Sequence, residues 1–347
     1  MKHTEVNRDA LRLAIHAAYG IHLSRLAEIA QGEVTANLRG QTADGTSYLV
    51  KWYPASRQAD ISAARLDHVL PLLAELHGKG LFSHASVPVL TMEGAFCATF
   101  AGRPLVLFQW IEGRTWSELP TLPEAFWAAL GRMTARIHLS MPHLTTPGIP
   151  IERFDTLFAA DLWCGMAALA AVRPADRPGR WALRELLLPR QDELQRIAAR
   201  LRELQEQARA LPLTCVLCHA DLTPGNIIMD DVGELHVIDW EGATLAPAEH
   251  DLMFLTGDHF PEALAAYMAL RPRVRLHADL FSFYFHRRNL EDLADWLIRI
   301  LYENTTDEQD RADLAGIRED CLAWWPDLNA SGQLQEQIAP YAVNVGR

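Results

Sequence analysis

The spacing of apolar residues predicts a β-rich beginning to the chain, with one main helix. A first helix is predicted over 7–19, where apolar positions recur every three or four residues before Gly20. A second helix is expected over 60–77 for the same reason. Short apolar runs bounded by turn residues predict strands around 26–29, 48–52, 87–91, 95–100 and 104–111.

The pattern changes after Glu112 and Gly113, where long segments of helical periodicity follow one another. Helices are predicted over 123–139, 157–171, 182–210, 261–270, 279–303 and 309–325. One β-rich interruption remains, at 213–241. The chain is therefore expected to be an α+β protein with a small β-rich N-terminal part and a large, mainly helical C-terminal part.

The β-rich interruption contains the residues that indicate chemistry. An apolar strand leads into His219-Ala-Asp221, and Asn226 follows five residues later. Two more apolar runs then flank a turn, and the second run ends at Asp239. Because two short strands joined by a tight turn form a hairpin, we expect Asn226 and Asp239 to lie close together, beside Asp221.

Oxygen-bearing side chains at this spacing suit phosphoryl transfer. Hard cations such as Mg²⁺ bind carboxylate and amide oxygens and share them with nucleotide phosphates. One carboxylate can then accept the proton of an acceptor hydroxyl, while an amide and a second carboxylate hold the metal. Each residue alone is typical of an ordinary turn, but the complete string with its apolar flanks favours a kinase site.

The same string resembles the catalytic and metal-binding loops of aminoglycoside phosphotransferases and related small-molecule kinases, which share the protein-kinase-like fold. The resemblance implies that Asp221 is the catalytic base and that Asn226 and Asp239 bind Mg²⁺. It implies a structural role in the loop for His219. It also implies a bilobal fold with a small β-rich N-terminal lobe and a large, mainly helical C-terminal lobe.

Two further segments, 245–254 and 283–293, resemble the spectinomycin phosphotransferase branch of that family. This finer resemblance implies an aminoglycoside or aminocyclitol acceptor, spectinomycin first among them, and a role in antibiotic resistance. It also implies that Asp251 braces the catalytic loop, although an ordinary helix N-cap would equally use an aspartate there.

The fold implied by the resemblance places a nucleotide-binding lobe at 1–107, a hinge at 108–113 and a catalytic and acceptor-binding lobe at 114–347. Lys51 ends an apolar run, at the position of the strand lysine that contacts nucleotide phosphates. Its acidic partner should lie on the next helix, which offers Asp60, Asp67 and Glu75. Asp67 fits best, although a glutamate is usual at that position.

The nucleotide is expected to be ATP bound with Mg²⁺, and the sequence leaves GTP open. The loop before the lysine strand contains Gly32, Thr35 and Asn37 and would cover the phosphates with backbone amides. It has one glycine where the family pattern has three. The hinge would bond the base through backbone groups near Gln109 and Ile111.

Acidic side chains are the candidates for binding amines of the acceptor. Glu241 follows Asp239 by two residues, and Glu291 and Asp292 share a predicted helix, although a solvated helix face accounts for that pair equally well. Within enzymes, the alternative is a metabolite kinase that acts on a choline-like, homoserine-like or sugar hydroxyl. Outside enzymes, the alternative is a nucleotide-binding module without catalysis, which the presence of Lys51 and the three loop residues disfavours.

Composition narrows the choice of partners. The 347 residues include 32 Lys and Arg and 44 Asp and Glu, a net charge of −12, which disfavours nucleic acid and anionic membranes and suits a cationic small molecule. With no apolar stretch of spanning length and no secretory pattern at the N-terminus, a cytoplasmic location is expected. The choice between monomer and dimer stays open.

The segment Cys215-Val-Leu-Cys218-His219 also matches the short pattern for covalent haem attachment. The segment is predicted to be a strand, and haem attachment belongs to exported proteins, so this function is disfavoured. A zinc site would need a second Cys or His pair, and none lies nearby at the usual spacing. Buried thiols are therefore expected.

Overall fold

The computed structural model describes residues 7–29, 34–330, 338 and 340. The chain divides into two compact units, each built from two stretches of sequence. Among the described residues, those within 7–151 and 215–272 form the sheet unit, and those within 152–214 and 273–340 form the helical unit. The predicted boundaries at 1–107, 108–113 and 114–347 stay a prediction.

All strands of the described residues belong to the sheet unit. They are β1 (Leu23–Glu28), β2 (Ala36–Thr42), β3 (Ser47–Trp52), β4 (Ala98–Phe100), β5 (Arg103–Gln109), β6 (Arg114–Thr115), β7 (Val216–Cys218), β8 (Ile227–Met229), β9 (Leu235–Val237) and β10 (Thr244–Ala246). They form a five-stranded sheet in the order β1-β2-β3-β5-β4, a three-stranded sheet β6-β8-β9 and a two-stranded sheet β10-β7.

The α-helices of the described residues are shared between the units. They are α1 (Arg8–Tyr19), α2 (Arg57–Ala63), α3 (Leu66–Gly78), α4 (Phe126–Ser140), α5 (Ala159–Leu169), α6 (Pro178–Leu187), α7 (Gln191–Ala210), α8 (Glu249–Leu252), α9 (Phe260–Leu270), α10 (Ala278–Ile298), α11 (Asp307–Gly316) and α12 (Trp325–Ala330). The helical unit contains α5, α6, α7, α10, α11 and α12, and the sheet unit contains the others.

The five-stranded sheet is antiparallel throughout, and α1 covers part of its apolar face. Leu11 and Ile15 of α1 are fully buried in one core with Leu38 and Val50 of the sheet. The hydroxyl of Tyr19 donates to the carbonyl of Leu105 at 2.8 Å. This packing holds β3, the strand that carries the predicted nucleotide lysine.

Several predicted elements differ from the observed ones, and proline explains two of the differences. The helix predicted over 182–210 is divided into α6 and α7 around Pro189, which has no N–H to continue the first helix. The run 87–91 forms a single bridge, between Pro88 and Phe108, because proline cannot donate to a ladder. The helix predicted over 60–77 is two helices, α2 and α3.

The helical unit is organised around α10, which packs against α5 and α7. Leu290, Leu293 and Leu297 on α10 are buried, and Gly165 of α5 allows close approach to Leu297. Arg177 bonds the side chain of Asp310 and the carbonyl of Ile300. A buried polar network therefore supplements the apolar core of this unit.

Candidate active site

The predicted catalytic loop begins where the buried strand β7 ends. His219 is fully buried, and its Nδ1 accepts a hydrogen bond from the backbone N–H of Asp221 at 3.2 Å. The proton of this imidazole is therefore on Nε2, which donates to the carbonyl of Ile238 at 2.9 Å. Ala220, between His219 and Asp221, has a φ of 69°. The loop thus turns sharply at Ala220, and His219 ties it to the strand segment before Asp239.

Asn226 holds Asp221 in place. Its Nδ2 donates to the backbone carbonyl of Asp221 at 2.9 Å and to Oδ2 of its carboxylate at 2.8 Å. Asn226 is buried at the end of the short helical turn Pro224–Asn226. Because the amide nitrogen bonds Asp221, the amide oxygen of Asn226 is the atom that remains for a metal ligand.

The predicted hairpin is present and brings Asn226 to Asp239. Ile227 of β8 is paired with Val237 of β9, and the N–H of Ile238 donates to the carbonyl of Asn226 at 3.0 Å. Asp239 follows directly, with a φ of 62° that an aspartate tolerates. Asp221, Asn226 and Asp239 therefore form the oxygen-rich cluster that the sequence predicts.

The turn of this hairpin is stabilised by Asp230. Its Oδ1 accepts the N–H groups of Val232 and Glu234 at 3.0 and 2.9 Å, and its Oδ2 lies 3.0 Å from Nε2 of His236. Burial would raise the pKa of Asp230, but these bonds lower it below its ordinary value. The carboxylate thus fixes the loop that sets the register of the two strands.

Lys51 is buried on β3 and donates to two carboxylates. Its Nζ lies 2.9 Å from Oδ1 of Asp239 and 2.6 Å from Oε1 of Glu241. Burial by itself would lower the pKa of Lys51, but the two carboxylates raise it well above its ordinary value. The lysine is therefore a permanent cation beside the oxygen cluster.

The prediction that Asp67 pairs with Lys51 is wrong. Asp67 is exposed in the first turn of α3, whereas Leu66, Val69 and Leu73 of that helix line the small space beside Lys51. The apolar face of α3 turns toward the sheet to bury its leucines, and this turns Asp67 toward solvent.

Glu241 contacts other residues of the protein, and its predicted role in acceptor binding does not require these contacts. Its Oε1 accepts from Lys51 and also from the hydroxyl of Tyr53, at 2.5 Å. Its backbone carbonyl accepts from Arg65 at 2.9 Å. Burial would raise the pKa of Glu241, but Lys51 and Tyr53 lower it. Glu241 is an ionised partner of Lys51 in this structure.

The predicted phosphate-covering loop is described only in part. Gly32 lies outside the described residues. Thr35 is buried, and its hydroxyl donates to Oδ1 of Asn37 at 3.0 Å. Asn37 stands within β2, directly opposite Lys51 of β3, and not in a loop as predicted. The sequence signal for this strand was missed because its apolar alternation is interrupted by Gly40 and polar residues.

The predicted hinge, 108–113, overlaps the last two residues of β5. Gln109 ends that strand, and its N–H donates to the carbonyl of Val87 at 2.9 Å. Gln109 and Ile111 line a cavity of about 430 Å³ together with Ala85 and Val87. A cavity of this size is within the range that holds small ligands, and its lining includes the two residues predicted to contact the base.

A buried polar network holds the backbone of the predicted catalytic loop. The carboxylate of Asp251 accepts the backbone N–H groups of His219 and Ala220 at 2.9 and 2.7 Å, and Nε2 of His138 lies 3.1 Å away. His138 Nδ1 lies 2.8 Å from the hydroxyl of Tyr267. Burial alone would raise the pKa of Asp251, but these partners lower it. These contacts support the prediction that Asp251 braces the loop.

The same network contains a His, Cys and Asp cluster with ligand atoms within 4.8 Å of one another, namely His138, Cys218 and Asp251. Burial raises the pKa of the Cys218 thiol well above its ordinary value, so it stays protonated. A metal would need the thiolate and the Asp251 oxygens that hold the loop. The cluster therefore fits a hydrogen-bonded brace and not a metal centre.

Glu291 and Asp292 belong to α10 in the helical unit. Oδ2 of Asp292 accepts from Nε of Arg288 at 2.7 Å, one helical turn away, and Glu291 is exposed. Their role in acceptor binding stays a prediction. Sequence reasoning missed Tyr53, Arg65 and Tyr267; the alternation of β3 and its continuation would have placed Tyr53 on the same face as Lys51.

A model of the APH phosphotransferase enzyme family matches residues 25–276. Homoserine kinase of Rhodopseudomonas palustris strain BisA53 is 28% identical over 199 residues, which are 57% of this chain and 52% of that protein. Homoserine kinase of strain TIE-1 is 27% identical over 253 residues, covering 72% of this chain and 68% of that protein. This chain therefore spans about half the length of the first of these relatives.

Comparison with solved structures identifies the type of fold. Spectinomycin phosphotransferase in complex with ADP and spectinomycin has a TM-score of 0.72 at 17% identity, covering 94% of this chain and 98% of that one. A microcompartment-associated aminopropanol kinase has a TM-score of 0.65 at 17% identity, covering 94% of this chain and 100% of that one. The predicted protein-kinase-like fold is confirmed.

Among the described helices, none combines the length and hydropathy that a membrane span requires.

Proposed function

This chain belongs to the APH phosphotransferase enzyme family, and from that premise we propose that it transfers the γ-phosphate of ATP to a hydroxyl of an amine-bearing alcohol, an aminocyclitol such as spectinomycin first. That the chain is a kinase acting on hydroxyl groups follows from the family. The nucleotide, the metal, the residue roles and the acceptor are the proposal. The observation that carries it is the cluster of Asp221, Asn226 and Asp239 beside Lys51.

Asp221 is proposed to accept the proton of the acceptor hydroxyl. The bond donated by Asn226 sets the orientation of its carboxylate, and the bonds that the preceding backbone N–H groups donate to Asp251 set the position of the loop. A carboxylate held in this way can orient a hydroxyl for in-line attack with little reorganisation. Asp221→Asn would keep the shape of the site and remove the proton acceptor.

The donor atoms at the open end of the hairpin fit Mg²⁺. The Asn226 amide oxygen and the Asp239 carboxylate are hard oxygen ligands, and Lys51 bonds Oδ1 of Asp239. A bound Mg²⁺ neutralises charge on the transferring phosphate. Lys51 and Thr35 would contact the nucleotide phosphates, and Gln109 and Ile111 would contact the base.

An aminocyclitol acceptor is supported by two facts. The spectinomycin phosphotransferase likeness extends over 94% of this chain, including the helical unit, and the net charge of −12 suits a protonated amine. Homoserine is the second candidate, because the curated relatives are homoserine kinases. Spectinomycin, aminopropanol and homoserine each carry both an amine and a hydroxyl, which is the chemistry they share.

A transfer assay read by mass spectrometry tests this proposal. Protein, Mg²⁺ and either ATP or GTP are incubated with spectinomycin, kanamycin, homoserine, aminopropanol or choline, and Asp221→Asn protein is the matched control. We expect one added phosphate on an amine-bearing acceptor, spectinomycin first, and loss of product in the control. Because removing a general base commonly costs about 10²–10⁴-fold, residual turnover should be small.

The outcomes separate the parts of the proposal. Phosphate on homoserine alone would keep the chemistry and replace the acceptor. Turnover that is unchanged by Asp221→Asn would remove Asp221 from the catalytic step. Lys51→Ala tests the nucleotide side, since it should raise the KM for ATP and leave the KM for the acceptor near the wild-type value.

A further inference from the structure

Helix α3 offers no carboxylate to Lys51, although a kinase needs its nucleotide lysine held in place. The side chains of α3 beside Lys51 are Leu66, Val69 and Leu73. The three acidic residues of this region have other surroundings, since Asp60 bonds Arg103, Asp67 is exposed, and Glu75 bonds Lys79 and Thr145. The partner of Lys51 must therefore come from another element.

Glu241 supplies that partner from the segment that follows Asp239. Its Oε1 lies 2.6 Å from Nζ of Lys51, a charge-assisted bond between buried groups, with the glutamate side chain 14% exposed and the lysine 5%. The hydroxyl of Tyr53 donates to the same oxygen at 2.5 Å. Arg65 bonds the Glu241 carbonyl. Both the side chain and the backbone of Glu241 are thus held.

We propose that Glu241 is the positioning residue for Lys51, in place of an acid on α3, and that Tyr53 fixes the rotamer of Glu241. This proposal rests on the kinase function and assigns Glu241 a different role from acceptor binding. Residues 239–241 then carry both a proposed metal ligand and the anchor of the phosphate-binding lysine. One short segment would then set both the metal side and the lysine side of the nucleotide, with no carboxylate from α3.

Two other roles for Glu241 predict different effects on ligand affinity. As an acceptor-binding residue, Glu241 would change the affinity for the acceptor and leave the affinity for nucleotide unaltered. As a further metal ligand, it would change nucleotide affinity only when Mg²⁺ is present. As the anchor of Lys51, it changes the affinity for phosphates with and without Mg²⁺, and it leaves the affinity for adenosine, which has no phosphate, unaltered.

Titration calorimetry with ATP and with adenosine distinguishes these roles. The variants are Glu241→Gln, which keeps the volume and removes the charge, and Asp67→Asn as the matched control. We expect Glu241→Gln to weaken ATP binding roughly tenfold, both with Mg²⁺ and with EDTA, because a charge-assisted bond is lost. Adenosine binding should stay within about twofold of wild type, which also shows that the fold is intact.

A rescue variant adds a second test. Glu241→Gln combined with Val69→Glu returns a carboxylate to Lys51 from α3. The double variant should bind ATP at least about threefold more tightly than Glu241→Gln. Adenosine binding serves as the test that its site is folded. Wild-type ATP affinity in Glu241→Gln overturns the proposal, and so does a loss that disappears in EDTA. A tenfold loss in Asp67→Asn overturns it as well. Failure of wild type to bind ATP would instead overturn the proposed nucleotide.

Discussion

Ala220 carries backbone strain that a buried carboxylate maintains. Its φ of 69° lies in the left-handed region, which costs an alanine roughly 1–2 kcal/mol. The N–H groups of Ala220 and His219 both donate to Asp251, at 2.7 and 2.9 Å. These bonds to an ionised group hold the turn, and the turn directs Asp221 toward Asn226.

Replacing Ala220 by glycine should therefore stabilise the protein. Glycine adopts this conformation without strain but gains freedom in the unfolded chain, so the net gain in the free energy of unfolding should be roughly 0.5–1 kcal/mol. Denaturant unfolding measures it. Ala243→Gly is the control, because Ala243 is buried at a φ of −53° and its replacement should destabilise. A less stable Ala220→Gly protein would contradict the strain argument.

Helices α4 and α9 meet at a glycine. A Cβ added at Gly131 would overlap the backbone carbonyl of Ala263 and could not be accommodated by a side-chain rotation. Gly78 at the end of α3, in contrast, has nothing within 4 Å of such an atom. Substitutions at the two positions therefore distinguish the effect of close helix packing from the effect of the helix propensity of glycine. The packing also matters for the site, because α4 carries His138 of the loop brace.

Gly131→Ala should lower the free energy of unfolding by about 1–3 kcal/mol, as overpacking of a closed interface does. Gly78→Ala should raise it by up to about 1 kcal/mol, since alanine is the better helix former and no contact opposes it. Denaturant unfolding of both variants checks the signs. Equal effects at the two glycines would show that α4 and α9 can separate without cost.

Glu75 connects α3 to the segment that follows α4. Its carboxylate accepts from Lys79 at 2.5 Å and from the backbone N–H groups of Thr145 and Thr146 at 2.7 and 2.8 Å. Burial would raise its pKa, but these bonds lower it far below its ordinary value of 4.5. Because the pKa is lower in the folded state, the bonds stabilise the protein above pH 4.5 and lose that effect as the pH falls toward the folded-state value.

The stability difference between wild type and Glu75→Gln should therefore shrink in acid. Between pH 7 and pH 3.5, wild type should lose about 1 kcal/mol more than the variant, because its unfolded state takes up one additional proton. Denaturant unfolding across this range gives both curves. Parallel curves for the two proteins would mean that the carboxylate is not held by Lys79 and the threonines.

The molecule as a whole carries a net charge of −12. Such a field raises the local concentration of cations and is screened by salt over about 10 Å at 0.1 M ionic strength. An acceptor with two protonated amines is attracted by the field, whereas a zwitterion with no net charge is little affected. Charge is a property of the surface, so it bears on the acceptor and not on the fold.

For a dicationic aminocyclitol, kcat/KM should fall several-fold, roughly 3–10-fold, between 20 and 300 mM KCl at constant Mg²⁺. The value for zwitterionic homoserine should change by less than about twofold. Initial rates at each salt concentration measure both. The same salt dependence for both acceptors would show that the field does not guide the cation.

The sequence by itself determined the local geometry of residues 216–239 and the type of most elements. In this stretch the proposed catalytic base, the amide and the second carboxylate lie within one strand, loop and hairpin, so spacing along the chain dictates their geometry. The class of fold followed from the same residues together with the periodicity of the helices. These are local relations, which the chain cannot rearrange without breaking the hairpin or the loop.

Only the tertiary structure decided which acid meets Lys51. The lysine and Glu241 are 190 residues apart, and the sequence around Lys51 offered three nearer acids. The burial of the leucines on α3 determines how that helix is rotated, and this rotation removes Asp67 from the lysine. The free energy of burying an apolar face exceeds that of a single ion pair, so packing selects the partner, and no local pattern reveals it.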